Sequence, residues 1–227
     1  MDVVVVVAVA LGFQLVELAA AAHVGADLPP ALAQLLNSYR NADVQAKLLA
    51  YLLNLVVSLG VVGWFLVRYK VGVAAVGWRR TDAARSVLYV VGTLLVLRLV
   101  TSGLFAVAKQ LPGFDPGQAQ QNYYIQIAAN HRLVAFAALV VLPPILEETV
   151  FRGFVFPALA KRWGMVQGAL VSSIIFGLAH AQANLDLYTY VMALALCFMY
   201  VRLRSIFPGM ALHMVNNYLA YVTLFHK

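Results

Sequence analysis

Three short clusters in this sequence hold residue types that do chemistry, and each lies in an apolar run. They are Glu147-Glu148-Thr149-Val150-Phe151-Arg152, Phe176-Gly177-Leu178-Ala179-His180 and His213-Met214-Val215-Asn216-Asn217. Glu148 and Arg152 are four residues apart. On a helix they share a face in the acid-before-base order, where they neutralise each other. Glu147 is turned about 100° away and has no such local partner. A carboxylate in apolar surroundings holds its proton more tightly than in water, as a general base near neutral pH must. His213 and Asn217 also share a helical face. A carboxylate with one histidine, and a second histidine with an asparagine, supply a base for water and donors where charge develops. The plainer reading is that the charges lock helices together and the histidines are satisfied core groups. Two histidines, an asparagine and a di-glutamate in one bundle favour a joint function. His23, His131 and His226 fall in loops or at an end and read as solvated.

Covalent catalysis is less expected. Ser172 and Ser173 lie about two turns before His180, and Cys197 has no evident base beside it. As the lone cysteine of the chain, Cys197 forms no intramolecular disulfide and reads as a small packing residue.

The elements that position these clusters follow from composition. Of 227 residues, 63% are hydrophobic and 11% charged, with a mean hydropathy of +0.84. A soluble domain with that balance leaves too much apolar surface facing water. The sequence predicts an all-α, polytopic transmembrane bundle of about seven spans in a single membrane domain, residues 1–227. The spans are Val3 to Ala22, Leu48 to Val67, Val87 to Ala108, Leu133 to about Ala160, Val166 to Ala181, Leu187 to Val201 and Ile206 to Phe225. Leu28 to Leu36 reads as a short interfacial helix or an eighth element. Met1-Asp2 offers no basic start for a signal peptide, so the first span reads as retained. The net charge of +7 does not point to nucleic acid, because Lys and Arg cluster between apolar runs, as in the positive-inside rule. With the N-terminus on side one, that side holds nine loop Lys and Arg: Arg68, Lys70, Arg79, Arg80, Arg85, Lys161, Arg162, Arg202 and Arg204. Side two holds five, Arg40, Lys47, Lys109, Arg132 and Lys227, while Arg98 and Arg152 lie within spans. Side one is then cytoplasmic.

Helix rise ties two of the clusters together. Glu147 lies 14 residues before Lys161, and His180 lies 16 after Gly164. At about 1.5 Å per residue these are rises of roughly 21 and 24 Å from one membrane face. The two side chains are expected at similar depth, towards the outer half. His213 starts lower, so its helix is expected to meet them through a tilted or irregular start near Pro208-Gly209.

The three motifs, in this order and spacing, resemble the CPBP (CAAX protease and bacteriocin-processing, or Abi) family. Its pattern EExxxR, FxxxH, HxxxN/D reads here as EETVFR at 147–152, FGLAH at 176–180 and HMVNN at 213–217, with Pro144 before and Gly153 after the first motif. The resemblance covers residues 139–220, and the catalytic core is expected at about 133–225. It implies a glutamate-dependent intramembrane endopeptidase without a metal cofactor. By motif position, Glu147 activates water and His180 helps to hold or polarise it. His213 and Asn217 donate to the oxyanion, and Glu148, Arg152 and Phe176 support the site.

Two rivals stand beside it. Glu147, Glu148, His180 and His213 are plausible zinc ligands of a membrane metalloprotease, although there is no HExxH. A transporter or non-catalytic scaffold uses the same polar residues to line a path or hold a peptide. The expected partners are the lipid bilayer and a membrane-associated or exported protein, with no nucleic acid. The expected location is a bacterial inner membrane. An outward-facing site suits an exported peptide, or the C-terminal sorting helix attributed to the myxosortase branch, better than a prenylated cytosolic protein.

Overall fold

The computed structural model describes residues 44–110, 132–180 and 186–223, together with Pro30, Ala31, Ala33, Gln34 and Ser38. The expected first span and most of the run Leu28 to Leu36 lie outside the described residues. Among these residues there is no strand. Six long helices follow one another: α1 Val44–Arg68, α2 Ala83–Ala108, α3 Arg132–Trp163, α4 Met165–Ala179, α5 Asp186–Leu203 and α6 Phe207–Thr223. Each corresponds to one of the six later expected spans.

The apolar composition has a direct physical consequence on α2. Only 11% of its most apolar stretch is buried by protein. Val87, Leu88, Val91, Leu95, Val96, Leu99 and Val107 all face outward. So large an apolar surface is tolerated against lipid and not against water. The chain is a membrane protein. α2 begins where the Asp82 carboxylate accepts the Arg85 backbone N–H at 2.7 Å, an N-cap at the edge of the apolar run.

α3 is the central helix, packed against α1, α4 and α6. It is not regular. Two wider, π-type turns interrupt it, Ala137–Val141 and Phe151–Val155. Proline explains both. Pro143 and Pro144 have no N–H to offer the carbonyls of Leu139 and Val140, four residues earlier, and Pro157 has none for Gly153. The backbone relaxes by widening. Between the two wide turns lies a short regular stretch, Leu142–Val150, which carries the glutamates.

α3 and α4 form a tight hairpin. Gly164 turns it with φ of +91°, and a Cβ on Gly168 would lie 2.6 Å from the Ala160 backbone nitrogen. α4 then pairs with α5, and α6 closes the bundle against α2, α3 and α5. Basic residues collect at one end. The Ser205 hydroxyl donates to the Arg79 carbonyl at 2.6 Å, Arg85 donates to the Arg202 carbonyl at 3.4 Å, and Arg202 donates to the Tyr89 hydroxyl at 3.1 Å.

This end also corrects an expectation about depth. The Ile206 N–H donates to the Gly77 carbonyl at 2.9 Å, and a Cβ on Gly153 would lie 2.8 Å from the Val76 carbonyl oxygen. The turn before α6 therefore sits level with Gly153, ten residues short of Trp163. The α3–α4 hairpin projects roughly 15 Å past it. His213 reaches the depth of Glu147 because α6 starts deep, and α6 is regular from Phe207 onward.

Candidate active site

Six of the seven motif residues converge in the middle of the bundle. Glu148 and Arg152 are both buried, with 0% and 1% of their side chains exposed. Arg152 Nη1 donates to Glu148 Oε1 at 2.9 Å, one turn along α3, as their spacing predicts. Arg152 Nη2 donates to the Ala193 carbonyl of α5 at 3.0 Å. The guanidinium also lies over the Phe176 ring, 4.8 Å from its centre, a cation–π contact inside the bundle.

Phe176 is the hub of the apolar packing around these charges. It is fully buried and meets Phe151 edge-on at 4.9 Å. Its ring centre is 4.6 Å from that of His180 and 6.0 Å from that of His213. One phenyl ring thus backs both imidazoles and the guanidinium.

Glu147 faces the histidines. Its Oε2 is 3.9 Å from His180 Nε2 and 3.7 Å from His213 Nε2. That oxygen is buried and has no hydrogen-bond partner among the described residues. The His180 Nδ1 lies 2.8 Å from the Phe176 carbonyl. A carbonyl only accepts, so Nδ1 carries the proton, and in the neutral ring Nε2 presents a lone pair towards Glu147. His213 is 2% exposed and lies between the two glutamates, its Nδ1 at 3.4 Å from Glu148 Oε1. Gly209 permits this approach. A Cβ there would stand 3.0 Å from Glu148 Oε2 and 3.4 Å from Leu196.

Asn217 lies one turn above His213 on the same face of α6 and is held by contacts of its own. Its Nδ2 donates to the Leu139 carbonyl at 3.0 Å. That carbonyl is available because the residues four and five further on, Pro143 and Pro144, carry no N–H. Beside it is a polar group that the motifs did not reveal. Asn216 Oδ1 accepts from the Tyr188 hydroxyl and, at 3.2 Å, from Arg98 Nη2. The signal for it was in the sequence, since a charged residue within a span needs a polar partner.

The site lies near mid-height of α3, 15 residues from its start. α4 ends at it, with His180 as its C-terminal cap. α2, α3 and α6 continue past it, away from the basic end. Among the described residues, no three His, Cys, Asp or Glu side chains are disposed to hold one metal ion. Ser173 and Cys197 are buried against each other at 4.0 Å and fill space. A cleft of about 420 Å³ between α2 and α6, lined by Arg80, Val90, Phe207 and Pro208, includes none of the motif residues.

An all-helical membrane fold with acidic and imidazole side chains gathered at its centre defines the class. Comparison with known proteins adds a likeness over part of the chain. Residues 129–219 match the family described as type II CAAX prenyl endopeptidase Rce1-like. The resemblance to the CPBP family is borne out over that segment, which contains all three motifs. The chain is also 37% identical over 78 residues to a Bacillus subtilis (strain 168) protein named "Putative membrane peptidase YdiL". That match covers 34% of this chain and 32% of the Bacillus protein, so the similarity spans about a third of each. No solved structure matches.

Proposed function

We propose that this protein is an intramembrane endopeptidase that hydrolyses a peptide bond with water activated by Glu147 and His180. The observation that carries the reading is the position of Glu147 Oε2, buried between two imidazole Nε2 atoms at 3.9 and 3.7 Å. These separations are long for direct hydrogen bonds, and a small widening admits a water between the groups. Glu147 and His180 both present acceptors there. One water donates a proton to each and turns its lone pair outward, towards a substrate carbonyl. Glu147 takes a proton as the oxygen attacks and later delivers it to the leaving amine. His213 Nε2, when the ring carries a proton on both nitrogens, and the second Nδ2 proton of Asn217 are the donors for the oxyanion. Glu148 and Arg152 hold His213 and the α3–α5 contact in place. No metal ion takes part in this scheme.

The whole chain acts as one membrane domain, with its catalytic core at about 133–225. Among the described residues α4 ends at the site while α2, α3 and α6 continue, which supports an approach from the side away from the basic end. By the positive-inside rule that side is the outer one in a bacterial inner membrane. The substrate is then a membrane-associated or exported protein. The test is Glu147→Gln, which keeps size and hydrogen bonding and removes the base. Cleavage should fall by about 10²- to 10⁴-fold with the melting temperature in detergent unchanged. Full activity in that variant would end the reading.

A further inference from the structure

Arg98 stands 15 residues into α2, in the middle of a span, and belongs to none of the three motifs. An arginine there is costly and marks a function. Its partner is Asn216, which leads to Asn217. From the guanidinium the bonds run in one line. Arg98 Nη2 and the Tyr188 hydroxyl donate to Asn216 Oδ1, Asn216 Nδ2 donates to Asn217 Oδ1 at 3.4 Å, and Asn217 Nδ2 donates to the Leu139 carbonyl.

Both ends of this line are chemically one-directional. A guanidinium only donates, so it requires the oxygen of Asn216. A carbonyl only accepts, so Leu139 requires the nitrogen of Asn217. With the ends decided, neither carboxamide can flip without opposing two acceptors or two donors. A lone carboxamide has no such preference for one end. One Nδ2 proton of Asn217 is used on Leu139, and the second is left to donate.

We propose that Arg98, Tyr188 and Asn216 are positioning residues that hold the Asn217 carboxamide in the orientation in which it donates to the oxyanion. This rests on the peptidase reading above. The device draws on α2, α5 and α6 together with the proline-freed carbonyl of α3. A helix that contributes no motif residue thereby acts on the reaction.

Asn216→Asp tests it. The aspartate still accepts from Arg98 and Tyr188, but when ionised it has no proton to give Asn217. On an internally quenched peptide that ends in an apolar membrane-inserting helix, kcat should fall by about 10- to 100-fold, the usual scale for a supporting partner, with KM unchanged. In an Asn217→Ala background the same change should cost nothing further, because both act through one group. Additive losses in that double variant would overturn the proposal. Tyr188→Phe is the milder second variant should Asn216→Asp fold poorly. Arg98→Lys should recover part of what Arg98→Ala loses. A readout without turnover comes from proteins labelled with 15N-asparagine in detergent. The Asn217 side-chain amide, assigned by its loss in Asn217→Ala, should exchange slowly in the wild type and faster in Asn216→Asp and Tyr188→Phe. Unchanged exchange would sink the relay. If Glu147→Gln still cleaves while exchange behaves as described, the peptidase mechanism fails and the relay stands as a fixture of the bundle.

Discussion

Replacing Arg152 by alanine should damage the fold before it damages the chemistry. Three contacts go at once: the 2.9 Å bond to Glu148, the 3.0 Å bond to the Ala193 carbonyl and the guanidinium over Phe176. What remains is a carboxylate with 0% exposure, and the nearest side chain left beside it is the His213 ring at 3.4 Å. Removing one partner of a buried pair costs about 3–5 kcal/mol. At about 1.4 kcal/mol per decade this is a loss of two to three and a half decades in the folded ratio, a large part of a typical 5–15 kcal/mol total. The yield of monodisperse protein after detergent extraction should fall sharply, and the surviving fraction should melt lower. Glu148→Gln combined with Arg152→Gln removes both charges and should recover part of the yield, whereas Glu147→Gln should express normally. An Arg152→Ala protein with wild-type yield and melting but no activity would refute the reasoning. It would make Arg152 a participant in the reaction instead of a brace.

Gly153→Ala would place a Cβ 2.8 Å from the Val76 carbonyl. It should destabilise the protein by about 1–3 kcal/mol, as overpacking does, read as a lower melting temperature, while Gly72→Ala, with nothing near its Cβ, should not. Peptide cleavage should survive chelators. Stoichiometric zinc in active protein, with activity lost on its removal and regained on its return, would favour the metalloprotease rival. In a Cys197→Ser background, Arg79→Cys should be protected from a membrane-impermeant thiol reagent in intact cells and Gly117→Cys should react. The reverse pattern would invert the topology and favour a cytosolic, CAAX-like substrate.

The sequence made the helices legible because lipid imposes a simple rule on composition. Every apolar run from Leu48 onward corresponds to a helix, and the i, i+4 relation of Glu148 to Arg152 survives in space. The equal depth of Glu147 and His180 followed from helix rise alone, since α3 and α4 are joined by a short turn. The depth of α6 did not follow. It depends on Ile206 docking against Gly77, a contact between residues 129 positions apart that no local pattern announces. Asn217 was correctly placed on the His213 face, but its bond to Leu139 was hidden, because it arises from a missing donor and not from a residue that is present. Arg98 was visible as an anomaly, and only the fold identified Asn216 as its partner.

The two wide turns of α3 act as phase shifts. Each takes up about one residue more than a regular turn, so each rotates the helix that follows by roughly 100° relative to the helix before it. Leu142–Val150 is therefore a rotated insert in an otherwise continuous span. Its orientation is set by chain length as much as by side chains. Deleting one residue within Ala137–Val141 would turn Glu147 and Glu148 away from the histidines together, with every motif residue still present. Loops absorb such changes in length at little cost. Here a change of one residue inside a membrane helix works like a gear tooth, engaging or disengaging the acidic pair from the imidazoles.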